Sequence, residues 1–256
     1  MKTNLQLPGI IMAGILFSFT LLSACKKDTP GKPDHQALGD YLLSETYQNG
    51  ILASKHQYNG QSLIEKSVFY IDGKISGETT YTYDNQNRLI ATLLKSDEGE
   101  LETKMEYNNS SELSKTAVWM NGTLISSYLY SYSGNTIVAS VSMEGGLNYT
   151  HTYTRENGNI IKEEADYPSL PAANWTLTRS DFDTGKTATF PINHSYMASL
   201  NNPGREIMST STPQGSHDWK WEYTYNEDGY VTGATSYDYQ SNAKIDTYTY
   251  TLIAVK

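Results

Sequence analysis

From Gly39 onward the chain alternates short apolar and aromatic runs with polar residues that favour turns. The runs partly alternate apolar with polar positions, as in "KISGETTYTY", and such alternation places every second side chain on one face of a β-strand. No apolar stripe with a period of 3.6 residues follows Gly39, so we expect no long helix. Dipeptides that favour two-residue hairpins occur at Asn49-Gly50, Asp72-Gly73, Asn121-Gly122, Asn157-Gly158 and Asp228-Gly229.

Tyrosines that precede a turn recur at a spacing near 24 residues, which accommodates two strands and two turns. Successive hairpins without crossover helices predict an all-β fold, an antiparallel up-and-down meander of about 14 strands. Because a large twisted sheet leaves exposed edges, we expect it to be strongly curled or closed into a barrel-like sheet. The repeated tyrosines are Tyr58, Tyr83, Tyr107, Tyr132, Tyr153 and Tyr225.

Tyrosine is unusually frequent, with 21 tyrosines against 5 phenylalanines. Pairs two residues apart, such as Tyr81 and Tyr83, share one face of a strand and can form aromatic ladders with neighbouring strands. The repeated pattern therefore indicates a scaffold and not a chemical site copied many times.

The segments "YTYDNQNRLI" and "YTYNEDGYV" resemble YD repeats, the units of RHS-type β shells. From Tyr41 to Val255 the chain resembles a Bacteroidota lipoprotein family of unknown function with a porin-like β-barrel fold. That family has no assigned catalytic residues, so the resemblance implies a fold and an envelope location but no activity. Only "YTYDNQNRL" keeps the arginine of the fuller YD pattern, and the chain is too short to enclose cargo as RHS shells do.

The resemblance to porins does not predict a pore. A membrane barrel needs a continuous apolar outer band, whereas segments such as "ELETKMEYN" and "NIIKEEADY" carry charge or polar groups at most positions. The chain also ends in Ala254-Val255-Lys256, without the terminal aromatic residue usual in outer-membrane barrels.

The N-terminus has the pattern of a lipoprotein signal. Lys2 precedes an apolar run from Ile10 to Leu22, too short for a membrane-spanning helix, and the run ends in the lipobox-like "LSAC". We expect residues 1–24 to be a signal peptide, Cys25 to be lipidated, residues 25–38 to be a flexible tether and residues 39–256 to form one domain. "KKD" after Cys25 resembles an export tag of surface lipoproteins, so we expect a lipid anchor at the outer membrane or cell surface.

Charge and cysteine content narrow the possible partners. The whole chain carries −9, and residues 1–38 carry +2, which leaves −11 for the domain. An acidic domain disfavours nucleic acid and anionic lipid surfaces. With its single cysteine at position 25, the domain has neither a disulfide nor a thiol nucleophile.

The repeat is interrupted between residues 167 and 221, where prolines and tryptophans concentrate. We expect these irregular connections to form one rim of the sheet and to carry a binding surface, since such loops often bear function. Trp175 and Trp219 are the predicted stacking residues, with His194 and Tyr196 as polar neighbours. Alternatively, Trp219 and Trp221 share one face of a strand and pack in the core.

No catalytic or metal-binding motif stands out, and no cofactor is predicted. The leading hypothesis is a non-enzymatic, lipid-anchored envelope protein that serves as a scaffold or binds a glycan, a peptide or an envelope protein. The alternative is a surface glycan hydrolase whose carboxylates come from distant strands, about 5 to 10 Å apart.

Overall fold

The computed structural model describes residues 41–186, 199, 201–211 and 215–255, and the statements below concern these residues. They form a closed antiparallel barrel in which each strand pairs with its neighbours along the chain and β1 pairs with β16. The strands are β1 Tyr41–Gln48, β2 Ile51–Tyr58, β3 Ile64–Ile71, β4 Lys74–Tyr83, β5 Leu89–Ser96, β6 Gly99–Tyr107, β7 Leu113–Met120, β8 Thr123–Ser133, β9 Thr136–Met143, β10 Asn148–Glu156, β11 Asn159–Asp166, β12 Trp175–Ser180, β13 Arg205–Thr210, β14 His217–Tyr225, β15 Val231–Asp238 and β16 Lys244–Ala254.

The predicted meander and its closure are confirmed, but the strand count of about 14 was too low. The barrel has 16 strands, because the stretch from 167 to 221 contains β12, β13 and the start of β14. β12 and β13 are only six residues long and lack the Tyr-x-Tyr pattern found in strands such as β4, β8 and β14. Their sequences therefore gave little indication of a strand.

The two ends of the barrel differ in how the strands are connected. At one end, here called the hairpin rim, two-residue turns such as Asn49-Gly50, Asp72-Gly73 and Asn121-Gly122 have positive φ at both positions, as predicted. At the other end, here called the tyrosine rim, the strands that end in tyrosine are followed by longer loops. Asn157-Gly158 is also a two-residue turn with positive φ, but it lies at the tyrosine rim, between β10 and β11.

Four loops of the tyrosine rim share one five-residue structure. The first residue is Asn or Asp, whose side-chain oxygen accepts hydrogen bonds from the N–H groups two and four residues later, and the fourth residue has positive φ. Asp228-Gly229 belongs to such a loop and is not the two-residue hairpin that its sequence suggests. The loops begin at Asn59, Asp84, Asn108 and Asn226.

The interior is identified by the alternation along each strand. Ser67 pairs with Thr79, and both are buried, whereas the adjacent Lys66 and Glu78 form an ion pair on the opposite, exposed face. The buried face lines the lumen. Near the tyrosine rim the lumen is filled by aliphatic side chains exposed by 3% or less, among them Ile64, Leu89, Leu113, Ile137, Ile160 and Val231.

The outer face carries lysine–glutamate ion pairs around the barrel. A lysine facing hydrocarbon at mid-bilayer depth costs about 2–4 kcal/mol, so such pairs are unfavourable on a lipid-facing surface. The pairs include Lys55–Glu45, Lys66–Glu78, Lys115–Glu106, Lys162–Glu164 and Lys220–Glu222. No helix within the described part of the chain is long and apolar enough to cross a membrane.

Candidate functional site

Tyrosines line the lumen just inside the tyrosine rim, and most of their hydroxyl groups are used structurally. Tyr83 donates to the carbonyl of Ile64 at 2.9 Å, and Tyr107 donates to that of Leu89 at 2.7 Å. Tyr58 and Tyr132 make the same kind of bond to Leu43 and Leu113. Burial raises the pKa of Tyr83 and Tyr107 above the usual value, so these hydroxyls stay protonated.

A buried charge cluster lies deeper in the lumen, on β10 to β14. Arg179 donates to Glu163 at 2.5 Å and to Glu206 at 2.8 Å, and the Trp221 indole donates to the other oxygen of Glu206 at 2.8 Å. The His151 Nε2 atom lies 3.4 Å from Glu163. These side chains come from neighbouring strands whose alternation turns them all inward.

The cluster fixes the ionisation of Glu163. Burial alone would raise the pKa of this carboxyl group, but hydrogen bonding to His151 and the charge of Arg179 outweigh burial and lower its pKa to about 2. Burial likewise opposes the charge on Arg179, but the two glutamates outweigh it and raise the pKa of the guanidinium. The arginine shared between the two carboxylates links β11, β12 and β13, which makes the cluster a structural element of the lumen.

A cavity of about 270 Å³ opens at the tyrosine rim, between the connection from β12 to β13 and the end of β14. We call it the mouth pocket. It lies where a long connection replaces the five-residue loop found elsewhere on this rim. Its wall consists of Asp181, Asp183, Asn202, Gly204, Trp221, Tyr223 and Tyr225.

Polar groups of the mouth pocket are arranged around Asp183. Its carboxylate accepts from the N–H groups of Gly185 and Asn202, at 3.0 and 3.2 Å, and from the hydroxyl of Tyr225. The Asn202 amide nitrogen also donates to Asp183, at 3.3 Å. The amide oxygen of Asn202 is buried and has no hydrogen-bond partner.

Tyr225 departs from the other repeated tyrosines. It precedes a five-residue loop, as Tyr58, Tyr83 and Tyr107 do, yet its hydroxyl donates to Asp183 and not to a backbone carbonyl. The backbone bond on this strand is made two residues earlier, from Tyr223 to the carbonyl of Pro203 at 2.9 Å. Because Tyr223 makes the backbone bond, the Tyr225 hydroxyl can bond to Asp183 in the wall of the mouth pocket.

A second depression, of about 440 Å³, lies over Gly233 on the outer face and is lined mainly by threonines. No buried side-chain atom in its described wall lacks a hydrogen-bond partner. The mouth pocket is therefore the stronger candidate for a site, because it combines carboxylates, aromatic rings and an unsatisfied acceptor.

Of the four residues predicted to form a binding site, only Trp175 and Trp219 lie within the described part of the chain. Trp175 and Trp219 are both half-buried and face the lumen, where Trp175 meets the edge of His151 and Trp219 stacks on His217. Trp221 faces the lumen too, as alternation requires, and it alone of the three lines the mouth pocket.

The stretch from 167 to 221 does not lie on one rim. Residues 167–174, 211 and 215–216 lie at the hairpin rim, whereas residues 181–186 and 201–204 lie at the tyrosine rim. Trp175 and Trp219 are near the hairpin rim and hence away from the mouth pocket. His194, Tyr196 and Cys25 lie outside the described residues, so their predicted roles stay predictions.

Sequence reasoning missed Asp181, Asp183, Asn202 and Tyr225 as site residues. The available indication was the replacement of the repeat's loop by a long connection between Ser180 and Arg205, together with a tyrosine that still carries the repeat pattern. Nothing local in "SDFD" or "NNPG" distinguishes these residues from ordinary turn residues.

No family model matches the chain, and no curated protein is similar to it. Solved structures that resemble the barrel include two porin-like proteins. One is a porin-like protein from Bacteroides uniformis, with 14% identity and a TM-score of 0.49 over 83% of this chain and 95% of the other. The second is a porin-like protein from Bacteroides vulgatus, with 9% identity and a TM-score of 0.45 over 83% of this chain and 98% of the other.

These similarities concern the course of the strands only, and membership of the Bacteroidota lipoprotein family stays a prediction.

Proposed function

We propose that the chain is a lipid-anchored envelope protein whose barrel is a non-enzymatic binding module, with the mouth pocket as its ligand site. The observation that carries the proposal is the unpartnered, buried oxygen of Asn202 in the wall of a cavity that also holds two carboxylates and three aromatic rings. Polar groups convergent on an aromatic-lined concavity are typical of sites for small ligands.

The rest of the barrel supports this role as a rigid frame. The sheet is closed, so each strand of the pocket has a paired neighbour on both sides. Trp221 connects the pocket wall to the buried charge cluster through Glu206. A site held in this way requires little ordering when a ligand binds, which favours affinity.

The alternative of a glycan hydrolase needs a carboxylic acid that can donate a proton. Glu163 is unsuited to that role, because its pKa is lowered to about 2. The second carboxylate of the lumen cluster, Glu206, is bound by both Arg179 and Trp221. These observations favour binding over hydrolysis.

A glycan and peptide array with residues 39–256 tests the binding proposal. We expect specific signals that are lost in Tyr225→Phe, which removes a pocket hydroxyl. Tyr107→Phe is the matched control, because it removes the hydroxyl of a tyrosine in the same repeat position that does not line the mouth pocket. Signals that survive in Tyr225→Phe, or disappear equally in both variants, would contradict a site at the mouth pocket.

The anchor is tested separately by metabolic labelling with palmitate. The proposed lipidation predicts label in the wild-type chain and none in Cys25→Ala, because only the thiol of residue 25 can form the thioether. Lys27→Ala, two residues beyond, should keep the label. Incorporation of label into Cys25→Ala would exclude Cys25 as the lipid site.

A further inference from the structure

We propose that the mouth pocket selects a small organic cation, a primary ammonium group carried on a polar body such as an amino sugar. This inference rests on the proposed binding function and specifies the chemical class of its ligand. It is argued from the wall chemistry, the unused acceptors, the surrounding charges and the aromatic rings.

The wall of the pocket presents acceptors and aromatic rings but no cationic side chain among its described residues. Asp181 and Asp183 contribute carboxylates, and Asn202 contributes an amide oxygen. Such a set attracts a ligand that brings hydrogen-bond donors and positive charge, and it repels an anion.

Two of these acceptors are unused or nearly so. The Asn202 oxygen has no partner although it is buried, and a buried acceptor left unpaired is unfavourable. Asp181 receives only a long hydrogen bond, from Ser180 at 3.3 Å. Asp183, in contrast, is already occupied by donors from Gly185, Asn202 and Tyr225. A ligand therefore needs at least two donors, which an ammonium group supplies.

The nearest cations of the barrel are engaged elsewhere. Arg179 is bound by both Glu163 and Glu206. Arg205 forms a bidentate ion pair with Asp218, with N–O distances of 3.0 and 2.7 Å. Lys186 lies over the ring of Tyr230. None of the three lines the pocket, although the charge of Arg205 acts on Asp181 as well as on Asp218 and offsets part of the attraction of Asp181 for an incoming cation.

Three aromatic rings follow one another along β14 on the pocket wall. Trp221 and Tyr223 lie 6.4 Å apart and nearly parallel, and Tyr223 and Tyr225 lie 6.5 Å apart. A cation placed over the face of such a ring is attracted by the negative potential of the ring's π electrons. The rings also provide a flat apolar surface for the body of the ligand.

A bare metal ion fits this wall less well. Calcium requires about 6–8 oxygen ligands, whereas the described wall offers two carboxylates, one already occupied, and one amide oxygen. A volume of about 270 Å³ also leaves room for an organic body beyond a single ion.

Calorimetric titration of the full-length chain in detergent micelles tests the inference, with D-glucosamine, D-glucose and calcium chloride as probes at pH 6.5. D-glucosamine and D-glucose differ in one ammonium group in place of one hydroxyl. We expect D-glucosamine to bind about tenfold more tightly than D-glucose, the ratio that corresponds to one favourable charged contact. Asp181→Asn should remove most of that preference, because it removes the unoccupied carboxylate while keeping the size of the side chain.

The control variant is Asp97→Asn, which changes an exposed aspartate in the turn between β5 and β6 at the hairpin rim and should leave the preference unchanged. Equal binding of both sugars at the pocket would overturn the ammonium inference but leave the binding function standing. No binding of either sugar, or tighter binding of calcium than of D-glucosamine, would overturn the inference outright.

Discussion

Strands β2–β9 and strands β12–β14 use the same rim of the barrel in two ways. In β2–β9, each five-residue loop is followed by a buried aliphatic residue, and the tyrosine hydroxyls end on backbone carbonyls. Between β12 and β13, a longer connection stands where the regular part has a five-residue loop. The Tyr225 hydroxyl donates to Asp183, and both residues line the mouth pocket.

The comparison shows how a repetitive scaffold can acquire a site. In the regular part, the first side chain of each five-residue loop and the tyrosine hydroxyls are engaged in local hydrogen bonds, so these groups are not available to a ligand. In the irregular part, one buried acceptor remains unpaired and an arginine replaces aliphatic packing between neighbouring strands.

The largest effect is expected where the irregular part depends on buried charge. Arg179→Met leaves Glu163 and Glu206 buried without their shared cation, which costs about 3–5 kcal/mol of unfolding free energy. Chemical denaturation followed by circular dichroism measures this loss. Lys104→Met is the control, because Lys104 pairs with Glu102 on the exposed outer face and should change stability by less than about 1 kcal/mol. Similar losses in both variants would contradict a structural role for the cluster.

The regular part should depend most on its aliphatic residues. Leu113 is 2% exposed and packs with Ile137 and the surrounding tyrosines, so Leu113→Ala should cost about 2–5 kcal/mol through lost burial and a cavity. Leu129 is 58% exposed, and Leu129→Ala should change stability by less than about 0.5 kcal/mol. The same denaturation assay applies, and equal effects would show that the lumen and outer faces are assigned wrongly.

Two buried groups, His56 in β2 and Glu163 in β11, should lose their contributions to the unfolding free energy at different pH values. Burial lowers the pKa of His56 in β2 to about 4, from 6.5, so the neutral ring contributes stability above pH 6.5 that is lost as pH falls toward 4. The full loss is on the order of 3 kcal/mol. Glu163 in β11 has its pKa lowered to about 2, from 4.5, so its contribution is present above pH 4.5 and is lost only below that value.

Unfolding free energies measured from pH 8 to pH 3 should therefore fall in two steps. His56→Gln should flatten the step between pH 6.5 and 4 and leave the lower one in place. An unchanged first step in that variant would assign the acid sensitivity to other groups.

The smallest effect separates the two kinds of tyrosine. Tyr107→Phe leaves the Leu89 carbonyl without its hydroxyl partner and should cost about 1 kcal/mol. Tyr225 is 36% exposed, so Tyr225→Phe should cost less than about 0.5 kcal/mol of stability while reducing ligand binding. Differential scanning calorimetry of both variants measures the contrast. A larger loss of stability in Tyr225→Phe would place its hydroxyl in the frame of the barrel and not in a site.

Much of the architecture follows from local features of the sequence. Turns at Asn49-Gly50 and Asp72-Gly73, the alternation of the strands and the period near 24 residues all depend on neighbours in the chain, and each is present in the barrel. Because a hairpin forms between adjacent segments, a run of hairpins also determines the order of the strands. The short strands β12 and β13 escaped detection, since six residues without a tyrosine pair carry little pattern.

The candidate site was decided only by the tertiary structure. Arg179 reaches Glu163 and Glu206 across 16 and 27 residues of chain, and Asp183 meets Tyr225 across 42. Such contacts depend on the register between strands, and a shift of one residue would turn every side chain of a strand to the opposite face. The sequence by itself therefore determined where the chain turns and which elements it forms. Closure and register decided which polar side chains meet inside the barrel, because those contacts join residues that no local pattern relates.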